Sequence, residues 1–169
     1  MKRLLLMRHA KSDWDAGIDT DFERPLNYRG RKDALKMAAH LIHENLLPEL
    51  VILSSSKRTT ETWKKMKSVF KEQNLNIKEI STFDFYHGGL GQIQDAIKTL
   101  RTEDQAYETI LVLGHNPGWN NAVSWLSGVN IQVTTANIIV LEHHSTEAWS
   151  QVIKKTDWKF QAHFQPRTI

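Results

Sequence analysis

Three short, unbroken apolar runs limit the fold more than any other feature of the chain: Leu4–Met7, Leu50–Leu53 and Thr109–Leu113. Each is too short for a helix and lacks polar alternation, which is the pattern of strands buried on both faces of a parallel sheet. The segments between them carry helical periodicity. Asn27 caps a helix running to about Asn45, with Leu35, Ala38, Ala39 and Ile42 on one face and Pro48 closing the exit. A second helix runs from the Ser54–Ser56 cap region to about Gln73 and keeps Trp63, Met66 and Phe70 in its stripe. A third, Leu90–Arg101, repeats Leu90, Ile93, Ile97 and Leu100 at core-facing spacing. A fourth starts near Pro117 or Trp119 and stops at Gly128, with Ala122, Val123 and Leu126 inside. Farther on, Asn137–His143 reads as a strand, Ser145–Val152 as a turn or short helix, and Trp158, Phe160, Ala162 and Phe164 alternate with polar residues as in a half-covered strand. The expected fold is α/β, a three-layer α/β/α sandwich with a mostly parallel central sheet and at least one antiparallel strand.

At 169 residues, with no Pro/Gly/Ser-rich linker, charge block or repeat, the chain reads as a single domain, 1–169. Its 40% hydrophobic and 24% charged residues are those of a globular chain. The absence of cysteine excludes a disulfide framework, a thiolate zinc site, an iron–sulfur cluster and a catalytic thiol. A net charge of +3 without a basic block gives no reason to expect nucleic acid. Leu4–Met7 is far too short for a signal core or a membrane span, so no membrane association and a cytoplasmic location are expected.

Each buried run ends in a polar signature. Leu4–Met7 leads into Arg8-His9-Ala10-Lys11-Ser12, Leu50–Leu53 into Ser54-Ser55-Ser56-Lys57-Arg58, and Thr109–Leu113 into Gly114-His115-Asn116-Pro117-Gly118. Ligands bind at the carboxyl ends of strands in open α/β sheets, so the three loops should meet. Two histidines, two arginines, several hydroxyls and two helix N-termini then share one crevice, a donor set suited to a tetrahedral oxyanion. Two imidazoles without thiolates or a carboxylate cluster favour covalent phosphoryl transfer, one ring attacking phosphorus while the other donates hydrogen bonds, and call for no metal or cofactor. Taken singly, Arg8-His9, Gly-His-Asn-Pro and Arg58 each have an ordinary structural explanation; the case rests on their joint occurrence after three buried strands.

These residues resemble the histidine phosphatase (phosphoglycerate mutase-like) superfamily, through Arg8-His9-Ala10, Arg58-Thr59-Thr60-Glu61-Thr62 and His115. Arg8–Trp14, Glu23–Asn27 with Arg29-Gly30, Gly114–Gly118, Thr134–Ala136 and Phe164–Arg167 are similar to SixA-type protein phosphohistidine phosphatases along nearly the whole chain. The resemblance implies a phosphatase in which His9 becomes phosphorylated, and in which Arg8, Arg58 and His115, with Asn116, hold the phosphate. Ala10 stands where the superfamily usually has glycine, so no positive φ is expected there. The superfamily's glutamate general acid has no clear counterpart; Asp84 is the nearest acidic candidate.

A missing acid suits a phosphohistidine substrate, whose imidazole leaves far more readily than an alkoxide. The short chain leaves little to roof the site, which suits a protein-borne substrate. The expected partner is a phosphohistidine-containing protein, or else a small phosphate ester, with inorganic phosphate as product. Two other readings remain open: a small-molecule phosphomonoesterase on the same scaffold, and a non-catalytic phosphate-binding module. Mutase activity ranks lower because the chain lacks room for longer active-site segments. Asp13, Trp14, Tyr86, His87 and Trp119 are candidates for the rim.

Overall fold

The three apolar runs become strands side by side. In the computed structural model, which describes residues Met1–Ile169, they are β1 (Lys2–Arg8), β2 (Leu50–Ser54) and β4 (Thr109–Gly114). With β3 (Lys78–Thr82), β5 (Ile138–His143) and β6 (Lys159–Phe164) they form one sheet in the order β3-β2-β4-β1-β5-β6. The β3, β2, β4 and β1 strands run parallel, and β5 lies antiparallel to both β1 and β6. Leu5 pairs with Leu111 and Val140, and Val51 also pairs with Leu111, so the central strands are in close register.

Side chains alternate across this sheet and both sides are covered, which is why the runs carry no polar residue. Leu5, Met7, Val51, Leu53, Leu111 and Leu113 pack under α1 (Tyr28–His43) and α2 (Lys57–Glu72). Leu4, Leu6, Ile52, Ile110 and Val112 pack under α3 (Leu90–Lys98), α4 (Gly118–Ser127) and the single turn α5 (Trp149–Val152). The expected three layers and mostly parallel sheet are present. No helix is long and apolar enough to cross a membrane.

The helix ends follow local chemistry. Asn27 Oδ1 accepts from the Gly30 N–H and caps α1, while Gly128 ends α4 with φ of 74°. The buried face of α1 differs from the expected one. Ala34, Met37, Ala38 and Leu41 point inward, whereas Leu35 is 38% exposed and Ala39 also faces solvent. The apolar residues of this segment outnumber one helical stripe, and its contact with α2 selects the set holding small Ala34 and Ala38, which lets two helices approach closely.

Two further differences concern strands at the sheet margins. The β3 strand was not expected, because as an edge strand it reads Lys-Glu-Ile-Ser-Thr with only partial burial. The β6 strand does not alternate evenly, since Ala162 pairs with Val140 but Phe160 with the adjacent Leu141. The bulged residue between them reverses the facing. Ala162 and Phe164 pack on the α1/α2 side, while Trp158 is buried on the other side and Phe160 stands 38% exposed.

The inward stripe of α1 has a direct test in chemical denaturation. Met37→Ala is expected to cost about 2–5 kcal/mol of unfolding free energy, whereas Leu35→Lys should change it by no more than about 0.5 kcal/mol.

Candidate active site

The register of β1 and β4 brings their carboxyl ends together: Arg8 pairs with Gly114, and the His9 N–H donates to the Gly114 carbonyl at 3.0 Å. Arg58 enters from the first turn of α2, directly after β2. The three loops expected to meet therefore do. Arg8, His9, Arg58, His115 and Asn116 line one cavity of about 210 Å³, with Lys11, Ser12, Trp14, Arg24 and Thr135 completing its wall.

The His9 ring is 6% exposed and its protonation is written in its neighbours. Nδ1 donates to the Ala10 carbonyl at 2.7 Å, and Nε2 accepts from Arg58 Nε at 3.3 Å. A neutral imidazole with its free lone pair on Nε2 satisfies both contacts. Burial, reinforced by His115, Arg58 and Arg8, holds its pKa well below the ordinary histidine value. Ala10 has no positive φ, and its N–H donates to Thr62 Oγ1 at 3.0 Å, so the side chain is accommodated as expected.

His115 faces His9 with ring centroids 5.2 Å apart. Its Nε2 lies 2.8 Å from Ser54 Oγ, and its Nδ1 lies 3.5 Å from Arg58 Nη2. With a proton on Nε2 donated to Ser54, Nδ1 is left to accept from the guanidinium. Burial and the Arg58 charge lower its pKa to about 3. Ser56, one of the expected caps of α2, makes no side-chain cap bond; its hydroxyl instead meets Thr59 Oγ1 at 2.8 Å beside this ring.

The cations of the cavity are partly unsatisfied. Arg8 Nη1 donates to the Val133 carbonyl at 3.3 Å, but its buried Nε has no partner. Burial and the neighbouring Arg58 both disfavour the charge on Arg8. An orphaned donor beside a second guanidinium is the local condition that an oxyanion relieves. Asn116 is committed to its own loop, with Nδ2 donating to the Val133 carbonyl at 2.5 Å and Oδ1 accepting from the Asn120 N–H.

Asp84 is not brought to this cluster. It sits in the short turn after β3 and lines a separate groove with Lys78, Thr82 and Gln92, and no carboxyl lines the His9 cavity. The carboxylate that does reach the cluster is Asp21, which no sequence pattern marks. Asp21 Oδ2 accepts from Arg58 Nη2 at 3.1 Å and from the Tyr86 hydroxyl at 2.5 Å, and Oδ1 accepts from Arg24 Nη2 at 2.8 Å. Burial opposes its ionisation, but Tyr86, Arg24 and Arg58 together hold the carboxyl far below the usual carboxylate range. Asp21 is thus an ionised strut for Arg58. Arg24 donates to Ser12 Oγ and stacks 3.6 Å over the Trp14 ring, so it too helps to build the wall.

The proposed rim divides. Trp14 forms part of the cavity wall, and Tyr86 lies edge-on to His115 with centroids 5.5 Å apart. The His87 ring lies tilted against Tyr86, with centroids 4.2 Å apart, and Asp13 does not line the cavity. Trp119 is fully buried, its Nε1 donating to the Val112 carbonyl, and belongs to the core. Asp21 lies two residues before the Glu23–Asn27 motif, and nothing in that spacing marks it until the loop folds back on α2.

The two neutral rings have a consequence for stability. Unfolded histidine takes up its proton near pH 6.5, but the folded rings resist it, so the unfolded state binds more protons and stability falls as pH drops. The contribution is intact above pH 6.5 and is lost on acidification toward the folded pKa, which is about 3 for His115. Unfolding free energy is expected to fall by up to about 1.4 kcal/mol per pH unit for each ring below pH 6. Denaturation curves between pH 7.5 and 4.5 should show a shallower loss in His9→Gln/His115→Gln; parallel profiles would contradict the buried neutral assignment.

Similarity to known proteins agrees with this geometry. Residues 4–86, from β1 through Tyr86, match the model of the histidine phosphatase superfamily (branch 1). An uncharacterized chloroplastic protein of Arabidopsis thaliana is 34% identical over 175 residues, a match spanning 98% of this chain and 78% of that protein. The solved protein histidine phosphatase SixA, complexed with tungstate, superposes with a TM-score of 0.79 at 21% identity, over 98% of this chain and 97% of that one. The mycobacterial glucosyl-3-phosphoglycerate phosphatase does so at 0.65 and 13%, over 95% and 97%. At such identities the superpositions establish a shared phosphoglycerate mutase-like fold. Together with the family match and the full-length relative, they show that the chain belongs to the histidine phosphatase superfamily.

Proposed function

We propose that this phosphatase removes phosphate from phosphohistidine on a protein through a phospho-His9 intermediate, with residues 1–169 acting as one catalytic unit. One observation carries the choice of substrate: His9 presents a bare Nε2 in a cavity lined by cations and by no carboxyl group. That arrangement supplies a nucleophile and charge neutralisation, but no side chain fit to protonate a poor leaving group.

Phosphohistidine needs no such acid. A substrate ring carrying a proton on its far nitrogen is well populated near neutral pH and departs as a neutral imidazole. As the bond from His9 Nε2 to phosphorus forms, the substrate P–N bond breaks. The electron pair goes to the departing nitrogen, and each ring keeps the proton on its far nitrogen. For His9 that proton is the one held by the Ala10 carbonyl. The exchange is nearly balanced in bond energy, so alignment and charge are the protein's main contribution. Arg58 Nε, which contacts Nε2 before substrate enters, transfers to a phosphoryl oxygen, and the orphaned Arg8 Nε takes another. His115 and Asn116 complete the enclosure. Water then attacks phosphorus, its protons leave on inorganic phosphate, and His9 returns to its starting tautomer.

That SixA, a protein of this fold, was solved as a tungstate complex supports a tetrahedral oxyanion as the ligand. An ester phosphatase would need a proton donor at the departing oxygen, and Asp21, held ionised by three donors, is a poor one. Cytoplasm remains the proposed compartment, in keeping with a cysteine-free chain. The relative described as chloroplastic makes subcellular fractionation the relevant check.

The deciding experiment offers a phosphohistidine peptide beside phosphoserine. The peptide should turn over, with phosphoserine at least about 100-fold slower in kcat/KM, and an acid-labile phosphoryl group should be trapped on His9. His9→Ala should abolish turnover, and Arg58→Ala should lower it about 100- to 1,000-fold. Asp84→Asn should stay within about twofold of wild type, whereas Asp21→Asn, by releasing Arg58, should lose about tenfold. Equal turnover of phosphoserine with dependence on Asp84 would establish the phosphomonoesterase reading instead.

A further inference from the structure

Three stretches converge beside the catalytic cavity, which uses only Thr135 of them. Arg29 from the first turn of α1, Thr134-Thr135 from the segment entering β5, and Gln165-Pro166-Arg167 after β6 line a second cavity of about 350 Å³. Thr135 belongs to the walls of both cavities, so they are neighbours. The floor is firm. Lys36 Nζ donates to the Pro166 carbonyl at 2.5 Å, and the buried Asn137 accepts from the Thr134 N–H at 3.2 Å and contacts His163 Nε2 at 2.7 Å.

The charge of this cavity is one-sided. Arg29, Lys36 and Arg167 face a single carboxylate, Asp33, which stands 3.7 Å from Nε of the exposed Arg29 in a long pair. Lys36 is engaged with backbone, which leaves the two guanidinium forks at the rim for a ligand. Planar exposed forks match a carboxylate, and no buried donor comparable to Arg8 is present to desolvate a second phosphate. The second cavity lies beyond Thr135 from the catalytic one, within reach of a polypeptide substrate and outside the volume a small phosphate ester would fill.

We infer that this cavity is a second anion subsite that receives an acidic side chain of the phosphorylated protein, close in its sequence or fold to the phosphohistidine. The inference rests on the phosphohistidine reading above and sharpens it: the preferred substrate carries Asp or Glu beside its modified histidine. Positioning by charge at this distance acts on binding, not on the chemical step.

Two histidine peptides phosphorylated with phosphoramidate test the subsite, one with glutamates flanking the histidine and one with glutamines. Wild type should show a KM about fivefold to tenfold lower for the acidic peptide at low salt, with equal kcat. Arg29→Gln/Arg167→Gln should erase that difference while leaving free phosphohistidine turnover and the thermal unfolding midpoint unchanged. Equal KM values for the two peptides in wild type, or a difference that survives the double substitution, would overturn the inference. If neither peptide is hydrolysed, anisotropy of a labelled, unphosphorylated acidic peptide still separates the cases. Binding that depends on Arg29 and Arg167 retains the subsite and rejects the substrate reading; no such dependence rejects the subsite.

Discussion

The burial of three central strands on both faces is the constraint on which everything else in this molecule depends. Because the centres of β1, β2 and β4 (Leu4–Met7, Leu50–Leu53 and Ile110–Leu113) are apolar toward both helical layers, polar residues stand only at their ends. Parallel pairing in register then places those ends at one edge of the sheet. Arg8, His9, Ser54 and His115 meet because the hydrophobic residues before them are stacked in rows. The active cavity is thus a by-product of core packing, directed by where each apolar run stops.

What that edge assembles is electrostatically uneven. Arg58 sits close enough to disfavour the charge on Arg8, and the His9 and His115 rings beside them are kept neutral. Such an arrangement costs stability in the empty protein and is relieved by an incoming phosphoryl dianion. Asp21 offsets part of the cost while leaving the pocket cationic, because its carboxylate binds the back of Arg58 together with Arg24 and Tyr86. The same clamp aims the guanidinium at His9.

Legibility varied with the kind of physical signal. The central strands, the second, third and fourth helices and the principal site residues were readable because each is marked by local pattern: an apolar run, a helical stripe, or a basic or imidazole side chain just past a strand. The β3 strand was not, since an edge strand gains its order from one neighbour and tolerates Lys78 and Glu79. The face of α1 was misjudged at Leu35 and Ala39 because several apolar residues compete and only the contact with α2 chooses among them. A bulge next to Val140 likewise split the apparent alternation of Phe160 and Ala162.

The sequence alone determined the layer architecture, the two imidazoles and two guanidiniums available for phosphate, and the absence of thiol chemistry, because these follow from residue type and from spacing within a few turns of chain. Tertiary structure alone decided which carboxylate serves the site. Asp84 follows β3 and turns to a different groove, while Asp21, 37 residues from Arg58, closes on it through the fold of an irregular loop. It also decided what His9 Nε2 faces: the Ala10 carbonyl that holds Nδ1 is the next residue in the chain, but Arg58 Nε reaches the ring from another segment. Long-range contacts of this kind depend on how loops return to the sheet edge, and no periodicity in the chain encodes that return.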